Sequence, residues 1–374
     1  MANISIEQFE KEALAFLESN AERRPVEKAF VWGEGSDNFY REKDRDQEAI
    51  NAEEGKGWRQ KKFDAGFGWI TGPESYGGRQ LPPAYDRLYN QLEATFRVPD
   101  QSVFAISLGM VTPTILDHGS QTARDLYVRK LWRGEMIASQ LFSEPGAGSD
   151  LASLTTKAVK DGDEWVITGQ KVWTTGAHYS DIGEIMTRTD WNLPKHKGLT
   201  AFIIDFKDPN VDVRPLKQMT GGASFNEVFF TDARVSDADR VGDVNNGWAV
   251  TTATLGFERS GLSEGAGGGI RVSAGKQAGL LERQVGDLVR ASKAAKAHPD
   301  EHGGLLSTLQ TVKTSSELTP VQRQRMVKLH INERIAEMTR LRISAAAKAG
   351  RSPGAEASTM KLHWTNGLKI SRDL

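Results

Sequence analysis

Two short polar segments of the chain carry residue types that could bind a polar ring system or a phosphate. The first, 140-QLFSEPGAGSD-150, places Ser143 and Ser149 in a glycine-rich loop, where backbone N–H groups are exposed with little steric bulk. The second, 169-GQKVWTTG-176, brings an aromatic face at Trp173 next to two hydroxyl groups at the end of a predicted strand. Each segment alone also fits a structural interpretation, a tight β-turn for the first and a core tryptophan for the second.

One carboxylate on a predicted helix is placed where it could act as a general base. Helical spacing puts Trp248, Thr252, Leu255 and Arg259 on one face of that helix, and Glu258 lies beside this face. Removing a weakly acidic proton needs a carboxylate in a water-poor site, which this position could provide. Spacing by itself favours the alternative, in which Glu258 forms an ordinary ion pair.

Composition and motifs exclude several other kinds of site. The chain has 0 cysteines, which removes disulfides, cysteine-ligated metals and a cysteine nucleophile. Gly146 and Gly148 lack the third glycine of a dinucleotide fingerprint. His298 and His302 are separated by Pro299, which breaks the helix that a zinc motif with this spacing would need. We therefore predict no metal site.

Charge and hydropathy narrow the expected partners and location. A count of 48 Lys+Arg residues against 49 Asp+Glu residues gives a net charge of −1, which argues against a nucleic-acid binder. The longest strongly apolar stretch, at residues 199–206, is far shorter than the ~18–20 residues of a membrane span. The N-terminal residues have the pattern of an amphipathic helix rather than of a signal peptide. Together these patterns predict a cytoplasmic protein without a membrane span.

The periodicity of apolar residues changes twice along the chain, which predicts three regions. Residues 1–134 have helical spacing, and residues 135–241 have a period of two, with a hairpin at Asp161–Gly162. Six or so short strands without intervening helices predict an antiparallel barrel or sandwich. Helical spacing returns in residues 242–374, with one helix predicted over 305–318.

Together, the two polar segments and the hairpin between them closely resemble the acyl-CoA dehydrogenase family of flavoproteins. The resemblance extends upstream to 72-GPESYGG-78 and downstream to 225-FNEVFFTDARV-235. It implies an α+β multidomain fold with an N-terminal helical domain (1–134), a central antiparallel β-barrel (135–241) and a C-terminal helical domain (242–374).

The same resemblance implies specific site residues. FAD would lie between the barrel and the C-terminal helices, with Ser143 at the flavin edge and Trp173 packed on the isoalloxazine ring. The positions that the resemblance implies for FAD are Gln140, Phe142, Ser143, Gly148, Ser149, Trp173, Thr174 and Thr175. Ser149 and Arg259 match positions near the acyl-CoA substrate. Glu258 matches the catalytic glutamate that one branch of the family carries on this helix.

The activity that the resemblance implies is FAD-dependent dehydrogenation of an acyl-CoA thioester to a trans-2-enoyl-CoA. An electron-transfer flavoprotein would accept the electrons, and the assembly would be a homodimer or homotetramer. Two alternatives stay open: a flavin monooxygenase or oxidase on the same fold, and a non-catalytic subunit of a hetero-oligomeric dehydrogenase. The family's Glu-Gly-Thr context and the Arg-x-x-Phe-Gly pattern after Gly269 are absent. Because the sequence ends within a predicted helix, we expect the C-terminal domain to be incomplete.

Overall fold

The chain forms two compact units in a computed structural model, one containing the described residues up to Phe257 and the other those from Glu258 onward. The structure describes residues 4–24, 45–219, 221–263, 319–349 and 356–373. The helix predicted over 305–318 and the pair His298 and His302 lie outside the described residues. The predicted domain boundaries at 134 and 241 stay predictions.

Six α-helices lie wholly or partly in the described part of the first unit. They are α1 (Ile6–Asn20), α2 (Arg45–Asp64), α3 (Pro83–Glu93), α4 (Thr112–His118), α5 (Gln121–Arg133) and the first part of α6 (Gly247–Ser263). Ser5 and Ser120 begin α1 and α5, because each hydroxyl oxygen accepts a backbone N–H of the first turn, at 3.2 and 3.1 Å. Phe9, Ala13 and Leu17 are buried along α1, as its amphipathic pattern predicts.

The strands of the first unit form a two-stranded pair and an 8-stranded sheet. The pair is β1 (Glu22–Arg23) with β2 (Phe96–Arg97), and the sheet contains β3 (Ala138–Leu141), β4 (Lys157–Asp161), β5 (Glu164–Thr175), β6 (Ile182–Arg188), β7 (Leu199–Asp205), β8 (Val211–Leu216), β9 (Phe225–Ser236) and β10 (Arg240–Val241). Hydrogen bonding orders the sheet β10–β7–β6–β4–β5–β9–β8, with β3 also paired to β6. The hairpin predicted at Asp161–Gly162 is confirmed, because Asp161 pairs with Glu164 and Gly162 has a φ of 64°.

The sheet differs from the predicted antiparallel barrel in two respects. Both β3 and β4 run parallel to β6, with Gln140 opposite Glu184 and Lys157 opposite Arg188, while the other pairs are antiparallel. The order of the described strands ends at β8 and β10, so these strands do not close into a barrel. A period of two is common to parallel and antiparallel strands, and it therefore fixes neither the partner nor closure.

Strand β6 is covered on both of its faces. Ile182 and Met186 belong to a buried cluster that includes Val250 of α6 and residues of α4 and α5. Ile185 packs in a second cluster with Phe202 and other residues of the opposite face. Every residue of β6 is buried as a result, so any charged side chain on this strand is removed from water.

The second unit contains the end of α6 together with α7 (Pro320–Lys348) and α8 (Glu356–Arg372). One polar side chain joins α7 to α8: the amide nitrogen of Asn332 donates to the carbonyl oxygen of His363 at 2.7 Å, and its amide oxygen lies 3.1 Å from Nδ1 of the same histidine. Among the described helices of both units, none combines the length and apolarity that crossing a membrane requires.

Candidate functional site

The glycine-rich loop leaves β3 through a tight turn whose outer side is open. Glu144 and Ala147 exchange backbone hydrogen bonds of 2.9 and 3.1 Å, so the β-turn interpretation is correct for the tip of the loop. A Cβ atom added at Gly146 or Gly148 would meet nothing within 4 Å. Internal packing therefore does not require glycine at either position. Their openness leaves the loop backbone accessible to a ligand.

A buried ion pair holds the base of this loop against β5. The Nζ of Lys171 donates to a carboxylate oxygen of Glu144 at 2.9 Å and to the carbonyl oxygen of Phe142 at 3.0 Å. The same carboxylate accepts the backbone N–H groups of Thr155 and Thr156, at 2.7 and 2.9 Å, and the Thr155 hydroxyl. Both Glu144 and Lys171 stand in the predicted motifs, but sequence reasoning gave neither a role.

The charges of this pair are set by opposing effects. Burial disfavours ionisation of Glu144, but the Lys171 ammonium and the hydrogen bonds to the carboxylate outweigh it and lower the pKa of Glu144 to about 2. Burial lowers the pKa of Lys171 to about 8, against the opposing effect of Glu144. At neutral pH the carboxylate is ionised and the ammonium is largely protonated, so the loop is anchored by a charged pair.

The two predicted segments meet at the backbone, and the second presents its tryptophan outward. Val172 donates its N–H to the carbonyl oxygen of Ser143 at 2.8 Å, which joins the glycine-rich loop to β5. The pairing of β5 with β9 shifts register between Lys171 and Thr174, and Trp173 within this irregularity has a φ of 61°. The Trp173 side chain is 58% exposed, so the core-tryptophan interpretation is wrong.

Two of the other predicted FAD positions carry a buried polar atom that lacks a protein partner in the described part of the chain. The Oγ1 of Thr174 and the Nε2 of Gln140 are buried and have no hydrogen bond in the described part of the chain. Ser143 is half-buried, and Thr175 and Ser149 are exposed. An exposed aromatic ring, an open loop backbone and unpaired polar atoms on joined segments fit a planar cofactor with polar edges, such as the isoalloxazine of FAD.

The remaining predicted residues lie on α6 in the second unit. Glu258 is half-buried and Arg259 is exposed. Their proposed roles as base and substrate contact stay predictions.

A second buried glutamate, which sequence reasoning missed, lies on β6. The Oε1 of Glu184 accepts from the Thr254 hydroxyl at 2.8 Å, and that hydroxyl lies 2.9 Å from the hydroxyl of Thr114. Its other oxygen has no hydrogen-bond partner among the described residues, and burial raises the pKa of Glu184 to about 8. The signal that could have found it is a lone acidic residue among the uncharged residues of Ile182–Met186.

The comparisons with known proteins point to one family. Residues 139–233, which contain both segments of the site, match the family model of the acyl-CoA dehydrogenase middle domain. The chain is 37% identical over 257 residues to the acyl-CoA dehydrogenase IpdE1 of Mycobacterium tuberculosis, covering 68% of this chain and 63% of that one. This protein contains the acyl-CoA dehydrogenase middle domain.

Another relative carries the same family name, and two solved structures share the fold. Acyl-CoA dehydrogenase FadE34 of Mycobacterium tuberculosis is 36% identical over 293 residues, which are 78% of this chain and 36% of that one. The matched parts thus span between about a third and two-thirds of these relatives. The acyl-CoA dehydrogenase of Geobacillus kaustophilus has the same fold, with a TM-score of 0.60 at 20% identity over 99% of this chain and 89% of that one. The structure titled "Tcur3481-Tcur3483 steroid ACAD" aligns with a TM-score of 0.61 at 22% identity, covering 98% and 83%.

Proposed function

We propose that this protein catalyses the FAD-dependent α,β-dehydrogenation of an acyl-CoA thioester to a trans-2-enoyl-CoA. The observation that carries the proposal is the joining of the two motif segments. The Glu144–Lys171 pair and the hydrogen bond from Val172 to Ser143 hold them together and leave Trp173 exposed beside them. The match to the acyl-CoA dehydrogenase middle domain supports the reaction class, and this arrangement supplies a place for the cofactor that the reaction requires.

The chain's own residues would divide the work of binding and proton transfer. Bound FAD supplies the acceptor for the hydride that leaves the substrate's β-carbon. Ser143, Thr174 and Thr175 would hydrogen-bond the ring edge, and Trp173 would pack on its face. The Glu258 carboxylate would take the α-proton, so that the electrons of the broken C–H bond form the new double bond. Ser149 and Arg259 would contact the acyl-CoA.

We also propose the finer features that the family suggests. A homodimer or homotetramer would work in the cytoplasm with an electron-transfer flavoprotein as acceptor. One observation favours a second arrangement: the structure titled as the ChsE4-ChsE5 complex from Mycobacterium tuberculosis matches with a TM-score of 0.59 at 19% identity. A heteromeric assembly, in which this chain supports a catalytic partner, is therefore the alternative.

The test is flavin reduction under anaerobic conditions. Purified protein loaded with FAD is mixed with a panel of acyl-CoAs, and bleaching of the flavin band is followed. Glu258→Gln keeps the size of the side chain and removes the proton acceptor. We expect this variant to retain FAD and to bleach at least ~100-fold more slowly than the unmodified chain.

Controls separate the alternatives. Glu10→Gln makes the same change at an exposed position of α1 and should bleach at the unmodified rate. Bleaching of Glu258→Gln at the full rate would show that Glu258 is not the base. A protein that retains no FAD would favour the non-catalytic subunit, and rapid reaction of the reduced flavin with oxygen would favour the oxidase or monooxygenase.

A further inference from the structure

The backbone at Trp173 is in a conformation that a bulky side chain rarely adopts. Its φ of 61° lies in the left-handed region, which glycine occupies freely and tryptophan does not. Such a residue keeps its conformation only when its surroundings hold it there. Because the strain coincides with the exposed ring of the candidate flavin site, the contacts that hold this segment are candidates for a functional role.

Asn226 contacts the residue that follows Trp173. It lies on β9 directly opposite Thr174 and is fully buried. Its amide nitrogen donates to the carbonyl oxygen of Thr174 at 3.0 Å. Its amide oxygen accepts from the Arg45 guanidinium at 2.8 Å, at the start of α2. One side chain therefore links the segment that carries Trp173 to a helix outside the sheet.

The first turns of α2 hold both sides of the same segment. Arg45 also donates to the carbonyl oxygen of Ala223 at 2.8 Å, just before β9. The Glu48 carboxylate accepts from the Ser224 hydroxyl at 2.9 Å and lies 3.0 Å from Nε2 of His178. His178 stands in the short turn that follows Thr175 and Gly176. The helix thus fixes the start of β9 and the exit of β5 together.

We propose that Asn226, fixed by Arg45, is a positioning residue that holds Trp173–Thr175 in the conformation that binds the isoalloxazine ring. The proposal rests on the cofactor part of the proposed function and does not involve Glu258. Because the segment is already held in place before FAD binds, binding does not include the entropy cost of ordering the tryptophan and the two threonines. The expected signature is a loss of FAD affinity that depends on the presence of the Trp173 ring.

The primary variant is Asn226→Asp, which keeps the size of the side chain and an oxygen to accept from Arg45. It cannot donate to the Thr174 carbonyl oxygen, and it also loses the longer contacts of the amide nitrogen with Nδ1 of His178, at 3.4 Å, and with the Ser224 carbonyl oxygen, at 3.5 Å. We expect the FAD Kd of the apoprotein, titrated by quenching of flavin fluorescence, to rise about 10-fold, as for loss of one buried hydrogen bond. Asn210→Asp makes the same change at an exposed position before β8 and should leave the Kd unchanged.

A double-mutant cycle with Trp173→Ala separates positioning from general destabilisation. If Asn226 acts by presenting the ring, Asn226→Asp should raise the Kd by no more than about 3-fold when the ring is already absent. An equal factor in both backgrounds would overturn the proposal and assign Asn226 a merely structural role. An unchanged Kd in the Asn226→Asp single variant would overturn it as well.

Arg45→Met covers the case in which Asn226→Asp fails to fold. It leaves Asn226 in place, removes the donor that fixes it, and should raise the FAD Kd about 3-fold or more, with the same dependence on Trp173. An unchanged FAD Kd in Arg45→Met would overturn the part of the proposal that concerns Arg45. If Asn226→Asp does not fold, the same result would overturn the whole proposal. If the unmodified chain binds no FAD, the proposed function fails instead, and the two failures are distinguishable.

Discussion

Two buried glutamates of the first unit differ in the number of their hydrogen-bond donors and in the direction of their pKa shifts. Glu144 accepts hydrogen bonds from two backbone N–H groups and from Lys171, and these contacts lower its pKa to about 2. Glu184 has one hydroxyl donor, and burial raises its pKa to about 8. The same side chain is thus an anion at the loop and a neutral acid in the sheet at neutral pH.

The difference in pKa between Glu144 and Glu184 shows how each carboxyl group affects the stability of the fold. An ionised carboxylate with several donors can anchor an irregular loop whose backbone groups have few partners in the sheet. No charged group lies within ion-pair distance of Glu184 in the part of the chain that the structure describes, so a charge there would be uncompensated. Proton uptake removes that charge. One glutamate therefore stabilises the fold by being charged, and the other is tolerated because it is neutral.

Breaking the Glu144–Lys171 ion pair should have the largest effect on stability. Lys171→Met keeps much of the lysine's volume but leaves the Glu144 charge buried without its cation. We expect the free energy of unfolding to fall by about 3–5 kcal/mol, the range measured when one partner of a buried ion pair is removed. Chemical denaturation of the apoprotein at pH 7 measures this loss.

A matched double variant checks the cause. Glu144→Gln combined with Lys171→Met removes both charges, and it should recover a substantial part of the stability lost in Lys171→Met alone. A double variant that is as unstable as the sum of the two single variants would mean that the residues contribute through packing and not through their paired charges.

The second-largest effect should be on the pH dependence of stability, which distinguishes Glu184 from Glu144. The folded pKa of Glu184 lies above its unfolded value of 4.5, so the folded state binds the extra proton between these values. Stability from this group is therefore highest below pH 4.5 and falls as pH rises toward about 8, by as much as about 1.4 kcal/mol per pH unit. Glu184→Gln should lose this slope between pH 5 and pH 8 in denaturation series.

The control for this prediction is Glu10→Gln, which removes an exposed carboxyl group and should keep the slope of the unmodified chain. If Glu184→Gln shows that slope too, Glu184 is ionised in the folded protein and has a cation that neutralises it.

Sequence reasoning found the parts of this site but not their connections. Residue types drew attention to both segments, because glycines, hydroxyls and an aromatic ring are visible in the sequence, but it was the family resemblance that assigned them to a flavin site. The Glu144–Lys171 pair was missed because it forms only when β5 returns beside the loop, and spacing does not give that distance. The environment of Glu184 likewise depends on β6 lying between neighbouring strands with both faces covered.

For the fold as well, the sequence predicted the elements but not how they pair. Alternation of apolar residues predicted short strands in residues 135–241, and β3 to β10 lie within this range. It did not show that β3 runs parallel to β6, because partner choice depends on the path of the chain between them. The exposed Trp173 was equally ambiguous, since its outward direction follows from a register shift and a positive φ that residue types do not encode.

Under acid conditions, the contribution of Glu144 to stability should change with pH in the opposite direction to that of Glu184. Its folded pKa lies below the unfolded 4.5, so its contribution to stability is present above pH 4.5 and is lost as pH falls toward about 2. Stability measured between pH 5 and pH 2.5 should therefore fall more steeply in the unmodified chain than in Glu144→Gln. Parallel curves would mean that the carboxylate gains nothing from Lys171 in the folded state.

The smallest effect is expected where the same loop carries a charged pair at its surface. Asp150 lies 2.7 Å from Lys195, a distance as short as that of the buried pair, but both side chains are about half exposed. Water and salt screen such a pair, and fixing two flexible side chains offsets much of the attraction. Asp150→Asn should therefore leave the melting temperature of the apoprotein within experimental error, at low and at high salt. A clear loss of stability that disappears in high salt would show that charge at the loop matters even in water. Close approach of a cation, rather than burial of the pair, would then account for the stabilisation that we expect from Glu144 and Lys171.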